Sequence, residues 1–500
     1  MTPMIPSAPR PLPLATVLLL AAAASCIPVY FPDEGPGGGP PPDDNGGLIG
    51  GFDPGFRMTY PAAGSPAWER ESQHAVMWET SPKVTAVPDL YYSLDDAVTW
   101  KQIEVSDEAT GRVMVDGSAK RARLNVPATG GTHIRVRLSL RGQNADSAPI
   151  ELAPSQRKSY SFTRVSEQVN VPPRDGACGV VHNGAMWLLG GWNPGYPAEF
   201  PAIVTNDVWR SEDGANWTRV KPNTFIDPGT YDDASDWSGR HTMGCTSLGG
   251  KMFIVGSDPL HLSSMRDVWS STDGAKWQRV AANTKFGTRV LQQTFSFQDK
   301  LWIVSGQTLL TEFTVAYPDV WSSLDGATWT RVHTEGPLWA PRAMIHGEPV
   351  FKGRMWLVSG GLYEDPNRPK RVSFDDVWSS ADGVRWRRDL EHTPFAPRYF
   401  VNVATYDDRL WVLGGARQEE LLGGSGNLSD VFYTSDGSNW YELVTPKNFE
   451  GRHSATAWAY KGALFWGVGN ALLPEELRGK NGLPPENQMM PDMWKIVPAP

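Results

Sequence analysis

One stretch of eleven residues returns five times with little change: DVWRSEDGANW at 207–217, DVWSSTDGAKW at 267–277, DVWSSLDGATW at 319–329, DVWSSADGVRW at 376–386 and DVFYTSDGSNW at 430–440. A second pattern precedes each copy, in which an arginine leads a run of small residues, a tight polar turn and an apolar run ending in Gly-Gly, Ser-Gly or a close variant. It starts at Arg174, Arg240, Arg289, Arg342, Arg398 and Arg452, at intervals of roughly fifty residues. An internal repeat of this period outranks any single-window reading, because a unit that cannot bury its own apolar face must stack on its neighbours.

One unit reads as four short strands. A small-residue strand follows the arginine, a turn such as NGA or DDR reverses it, and an apolar strand ends in glycine. A variable loop then leads to the DVW strand, which Asp-Gly turns into a last strand of the form W-x-R-V. In the first copy Trp209 and Ser211 share one face by the period of two, and Asp213-Gly214 is a strong hairpin signal because glycine admits positive φ. Four antiparallel strands in each of six units predict an all-β chain with a six-bladed β-propeller over 157–500. The last unit, with DMWKI at 492–496, lacks a fourth strand, and SFTRV at 161–165 imitates the missing one, so an N-terminal strand is expected to close the C-terminal blade.

The Gly-Gly after the second strand and the tryptophan on the fourth resemble the kelch repeats of the galactose-oxidase-like superfamily. The SxDGxxW segments resemble the Asp-box of sialidase-type propellers. A catalytic set breaks repeat symmetry, whereas scaffold keeps it. By that test Asp207, Trp209, Asp213, Gly214, Trp217, Asp267, Trp269, Trp277, Asp319, Trp321, Trp329, Asp376, Trp378, Trp386, Asp430, Trp440, Asp492 and Trp494 are expected to be architectural, as are the six arginines.

The chain before the repeat has three parts. Residues 1–25 carry Arg10 and an apolar run from Leu14 to Ala24, too short to span a bilayer and suited to a signal peptide. Ala24-Ser25 before Cys26 resembles the lipobox of bacterial lipoproteins, which implies acylation of Cys26 and export to the cell envelope as a lipid-anchored protein. Glycine, proline and aspartate dominate 26–55, a linker. Residues 56–153 hold six or seven short alternating runs, and their order resembles an immunoglobulin-like or fibronectin-like β-sandwich. Cys178 and Cys245 fall near equivalent points of adjacent repeats. Two separately packed thiols are expected there, although that placement admits a bond.

Net charge is -9 and the 46 basic residues form no long run, which argues against nucleic acid as a partner. The turns of one propeller face are short, whereas the loops of the other are long and dissimilar. Trp192, Tyr196, Tyr231, Asp232, Asp236, Trp237, Tyr363 and Glu364 on that face are the candidate binding residues, aromatic plates with carboxylates for a protein or glycan ligand. Aromatics that order their own loops are the competing reading. The histidines come singly, no metal or cofactor is expected, and the tyrosine and histidine set of a copper radical oxidase is not matched. The expectation is therefore a non-catalytic, membrane-anchored binding protein. A glycoside hydrolase or lyase of the sialidase-like propeller type and a purely structural envelope lipoprotein are the alternatives.

Overall fold

The computed structural model describes residues 53, 55–103, 106–107, 112–113, 115–116, 119–257, 265–308, 315–363, 371–417, 426–471 and 488–500. They fall within one compact unit, Gly50–Pro500. The signal segment 1–25, Cys26, most of the linker and Glu364 lie outside the described residues.

No helix occurs among the described residues, and the repeats fold as four-stranded antiparallel sheets. The first comprises Cys178–His182, Ala185–Trp192, Val204–Ser211 and Trp217–Lys221, neighbours in chain order. The second, third and fourth repeat this plan from Gly244–Leu248, Gln293–Phe297 and Val350–Phe351. The fifth, which starts at Val401–Tyr406, does not stop at four strands. Gln73 pairs with Trp440, and the sheet continues into Gln73–Glu79 and Arg121–Asn125. In the sixth, Thr456–Tyr460, Ala463–Gly467 and Met493–Pro498 are joined by Tyr160–Ser166, with Thr163 opposite Lys495. The arrangement is propeller-like.

Backbone hydrogen bonds link each sheet to the next at one recurring position, two residues after the repeat arginine. Thr242 donates to the Gly176 carbonyl (2.7 Å), Leu291 to Thr242 (3.2 Å), Met344 to Leu291 (3.2 Å), Ser454 to Phe400 (3.2 Å) and Gly176 to Ser454 (3.0 Å). Ile345–His346 runs parallel to Val401–Tyr406 and joins the fourth sheet to the fifth. All six residues at this position have positive φ, from 49° to 63°. For the five that are not glycine this backbone costs of order 1 kcal/mol or more each, so the bond to the neighbouring sheet is what holds it.

The repeat arginines and DVW acids meet inside each sheet. Arg174 clasps Asp207 with both terminal nitrogens, at 2.6 and 3.0 Å, and its Nη1 also donates to the Gly190 carbonyl at 2.9 Å. Trp209 Nε1 donates to the same carboxylate at 2.7 Å. The clasp recurs as Arg240–Asp267, Arg289–Asp319, Arg342–Asp376, Arg398–Asp430 and Arg452–Asp492, with Trp269, Trp321, Trp378 and Trp494 in the tryptophan's place. The fifth copy has Phe432 there and so lacks the indole. A buried charge survives because each carboxylate oxygen is held by a guanidinium N–H and the guanidinium also meets a backbone carbonyl.

The Asp-Gly turns are built locally. Ser211 Oγ accepts from Gly214 N–H at 2.9 Å, Asp213 Oδ1 accepts from Ala215 and Asn216 at 2.9 and 2.8 Å, and Trp217 Nε1 returns to the Gly214 carbonyl at 3.0 Å. Local geometry alone does not explain the glycine, because each turn also lies against an aromatic of the preceding sheet. A Cβ would overlap Phe465 at Gly214, Trp187 at Gly274, Phe253 at Gly326, Trp302 at Gly383 and Trp356 at Gly437. Gly383→Ala combines that overlap with a φ of 72°, and is expected to lower stability by about 2 to 4 kcal/mol in urea unfolding. An exposed glycine such as Gly462, with nothing within 4 Å, should cost only about 1 kcal/mol as Ala.

Residues 57–153 press on the outer edges of the fourth and fifth sheets. Arg121 pairs with Asp375 at 2.6 Å and donates to the Phe395 carbonyl, Arg123 pairs with Glu442 at 3.0 Å, and Tyr441 hydroxyl donates to Glu69 at 2.5 Å. In the same segment Ser93 Oγ and Asp95 cap Ala97 and Thr99 much as the repeat turns do. Cys178 and Cys245 are joined in a disulfide with Cα atoms 6.1 Å apart, which corrects the expectation of separate thiols. The first strands of adjacent sheets bring those two positions face to face.

Candidate functional site

The first strands of all six sheets, or the residues leading into them, line one cavity of about 50 Å³. By volume it admits only a few waters or the end of a larger molecule. Close approach of the strands narrows it: a Cβ on Gly179 would overlap Thr456, and one on Gly244 would overlap Thr294.

Among the described residues a single carboxylate enters this cavity, that of Glu348. Its position comes from an irregularity in the repeat. From the arginine to the second-strand aromatic there are 13 steps in Arg174 to Trp187 (187 − 174) and in Arg398 to Trp411 (411 − 398), but 14 in Arg342 to Trp356 (356 − 342). The extra residue falls in Gly347-Glu348-Pro349, between Ile345–His346 and Val350–Phe351. Gly347 takes φ of 106° with Val403 against it, a conformation and a closeness that exclude a side chain. The interrupted strand turns Glu348 across the front of the third sheet, where Thr246 of the second sheet donates its hydroxyl to Oε2. Glu348 keeps some exposed surface, but the first strands of the sheets surround its carboxyl in the cavity. Enclosure pushes the carboxyl up to about 7, against the opposing hydrogen bonds from Thr246 and the Ser296 backbone.

The other polar groups of the cavity carry unused hydrogen-bonding capacity. Gln292 donates Nε2 to the Val255 carbonyl at 2.8 Å, which pins its amide, and its Oε1 has no partner. Thr242 Oγ1, Thr294 Oγ1 and His346 Nε2 are likewise buried without a partner. Burial holds the His346 ring down to about 3, aided by His453 and His241, so it is neutral at pH 7. His453 falls to about 4, chiefly by burial and also by Arg371, against the pull of Asp175. Among the described residues no group of three or more His, Cys, Asp or Glu is placed to hold a metal ion.

The loop residues singled out from sequence divide. Trp237 is fully buried, 5.7 Å from Trp277 and beneath Lys221 and Arg240, and Trp192 is 7% exposed among Val204, Phe225 and Met489. Both are corrected from ligand plates to loop core: large apolar rings gain more by covering the sheet edge than by facing water. Tyr231 donates to the Trp237 carbonyl at 2.6 Å, and Asp236 pairs with Lys221 at 2.8 Å. Asp232 is exposed and caps Ala234. Tyr196 is exposed, and Tyr363 lies under Arg371 at 4.8 Å and beside Phe400. The structure does not bring these into one cluster, and Glu348 was not among them.

No family model matches the chain, and no curated protein matches it. Among solved structures it is similar to one titled "Structure of YjhT", at 12% identity over 65% of this chain and 95% of that one, with a TM-score of 0.45. A carboxyl raised to about 7 inside the cavity is at odds with the expectation that the chain is not an enzyme, and that expectation does not stand.

Proposed function

We propose that the chain is an enzyme acting on a glycan by acid–base chemistry at its axis, a glycoside hydrolase or lyase on a kelch-like, six-bladed propeller closed by strand 161–165 and preceded by an immunoglobulin-like sandwich. The observation that carries this reading is Glu348. A carboxyl held near 7 is poised both to give and to take a proton at neutral pH. The unpartnered acceptor oxygen of Gln292 and the hydroxyls of Thr242 and Thr294 match a partner rich in O–H donors, which a sugar provides. On this reading the cavity takes the reacting end and the bulk of the substrate stays outside it. The six repeat arginines, each tied to an aspartate, are not free to clamp an anionic sugar as the arginines of sialidases do.

Purified chain incubated with chromogenic glycosides and with uronate polymers tests the proposal. Turnover with a pH limb near 7 is expected, and absence of cleavage and elimination across both panels would remove it. We further propose that the protein is exported and anchored through acylated Cys26. Metabolic labelling with a fatty acid should mark the wild type and not Cys26→Ser, and equal label in both would refute the anchor.

A further inference from the structure

The disulfide and Glu348 belong to the same cavity, and one residue connects them. Cys178 and Cys245 tie the first strands of adjacent sheets, and both line the cavity wall. Thr246 follows Cys245 directly, is fully buried, and donates to Glu348 Oε2 from the far side of the third sheet. The strand carrying Thr246 is held on its other side by ladder bonds to Lys251–Val255, in which Thr246 faces Phe253. The bridge is thus the covalent element beside the donor that orients the carboxyl.

The geometry points to a redox-regulated site: the Cys178–Cys245 bridge braces Thr246 as a positioning residue for Glu348, and reduction of the bridge releases that hold. The inference rests on the proposed role of Glu348 for its catalytic consequence, but the positioning itself can be read without a substrate. Among the described residues, His346 is the only other side chain on the cavity that titrates, and it stays neutral through the relevant range. The bridged cysteines do not titrate. A hydrogen bond donated to an ionised carboxylate favours ionisation, so losing it should raise the protonation midpoint.

The test follows the Glu348 carboxyl carbon by NMR titration of the full chain, assigned by its disappearance in Glu348→Gln. Thr246→Val should move the midpoint up by about one pH unit, and Thr246→Ser should restore it. Treatment with dithiothreitol, which forms its cyclic disulfide as the two cysteine thiols appear, should move the wild type in the same direction. Reduced Thr246→Val should move no further. A midpoint unmoved by Thr246→Val, or moved by it but not by reduction, overturns the inference. The Cys178→Ala/Cys245→Ala variant repeats the measurement without reductant. Unfolding in both forms would make the bridge a staple of the fold and overturn regulation equally. A shifted titration in a chain that turns over no glycoside would leave this inference standing and remove the catalytic one.

Discussion

Arg174→Ala is expected to lower the stability of the chain by about 3 to 5 kcal/mol, read as a fall in urea midpoint at unchanged slope. Neither side chain of the Arg174–Asp207 pair reaches solvent to any extent, at 0% and 3% exposure. Deleting the arginine leaves Asp207 buried with only the Trp209 indole facing it and strips the Gly190 carbonyl of a donor. Lysine should not rescue it, because a single ammonium cannot span both carboxylate oxygens as the planar guanidinium does. Arg398→Ala is the informative comparison: Asp430 lacks the indole that the other five carboxylates have, so its loss should be at least as large. A change below about 1 kcal/mol at Arg174 would mean that water enters and replaces the clasp.

Glu348→Gln should reduce kcat by about 10²- to 10⁴-fold on whatever substrate the glycoside panels identify, and remove the pH limb near 7. It should also make the protein more stable in alkaline buffer. The folded-state carboxyl sits at about 7 against an ordinary 4.5, so in that interval the folded chain holds a proton that the unfolded chain has lost. The group's contribution to stability is complete below 4.5 and is lost as pH rises through 7, by at most about 1.4 kcal/mol for each pH unit. A neutral amide does not titrate. Wild type and variant should match at pH 4 in thermal or urea unfolding, and the variant should lead by no more than about 3 kcal/mol at pH 8. A variant that loses activity and stability together would point to a structural carboxylate instead.

What could be read from sequence was whatever the repeat spells locally. The Asp-Gly turns are made by residues within four positions of one another, and the pairing of Tyr160–Ser166 with the terminal strand showed in the likeness of SFTRV to the WTRV segments. The close contact between each turn glycine and an aromatic two strands into the preceding sheet was not legible, because it joins residues far apart in the chain: 81 positions for Gly383 and Trp302 (383 − 302) and 251 for Gly214 and Phe465 (465 − 214). Loop aromatics such as Trp237 misled for a related reason: polar neighbours in sequence say nothing about the sheet edge they cover in space. Glu348 left one trace, the fourteenth residue where the other copies have thirteen. At Glu348 the repeat breaks its symmetry in spacing, which a comparison of residue types does not show.

The seating of residues 57–153 on the fourth and fifth sheets has a mechanical consequence. The chain passes through that seat before it supplies Tyr160–Ser166 to the sixth sheet. Tension applied upstream of Arg57 would load the Arg121, Arg123 and Glu69 contacts first, and would reach the outermost strand Tyr160–Ser166 only after they gave way. A chain pulled from its amino end is thereby protected at the place where it could most easily be unzipped.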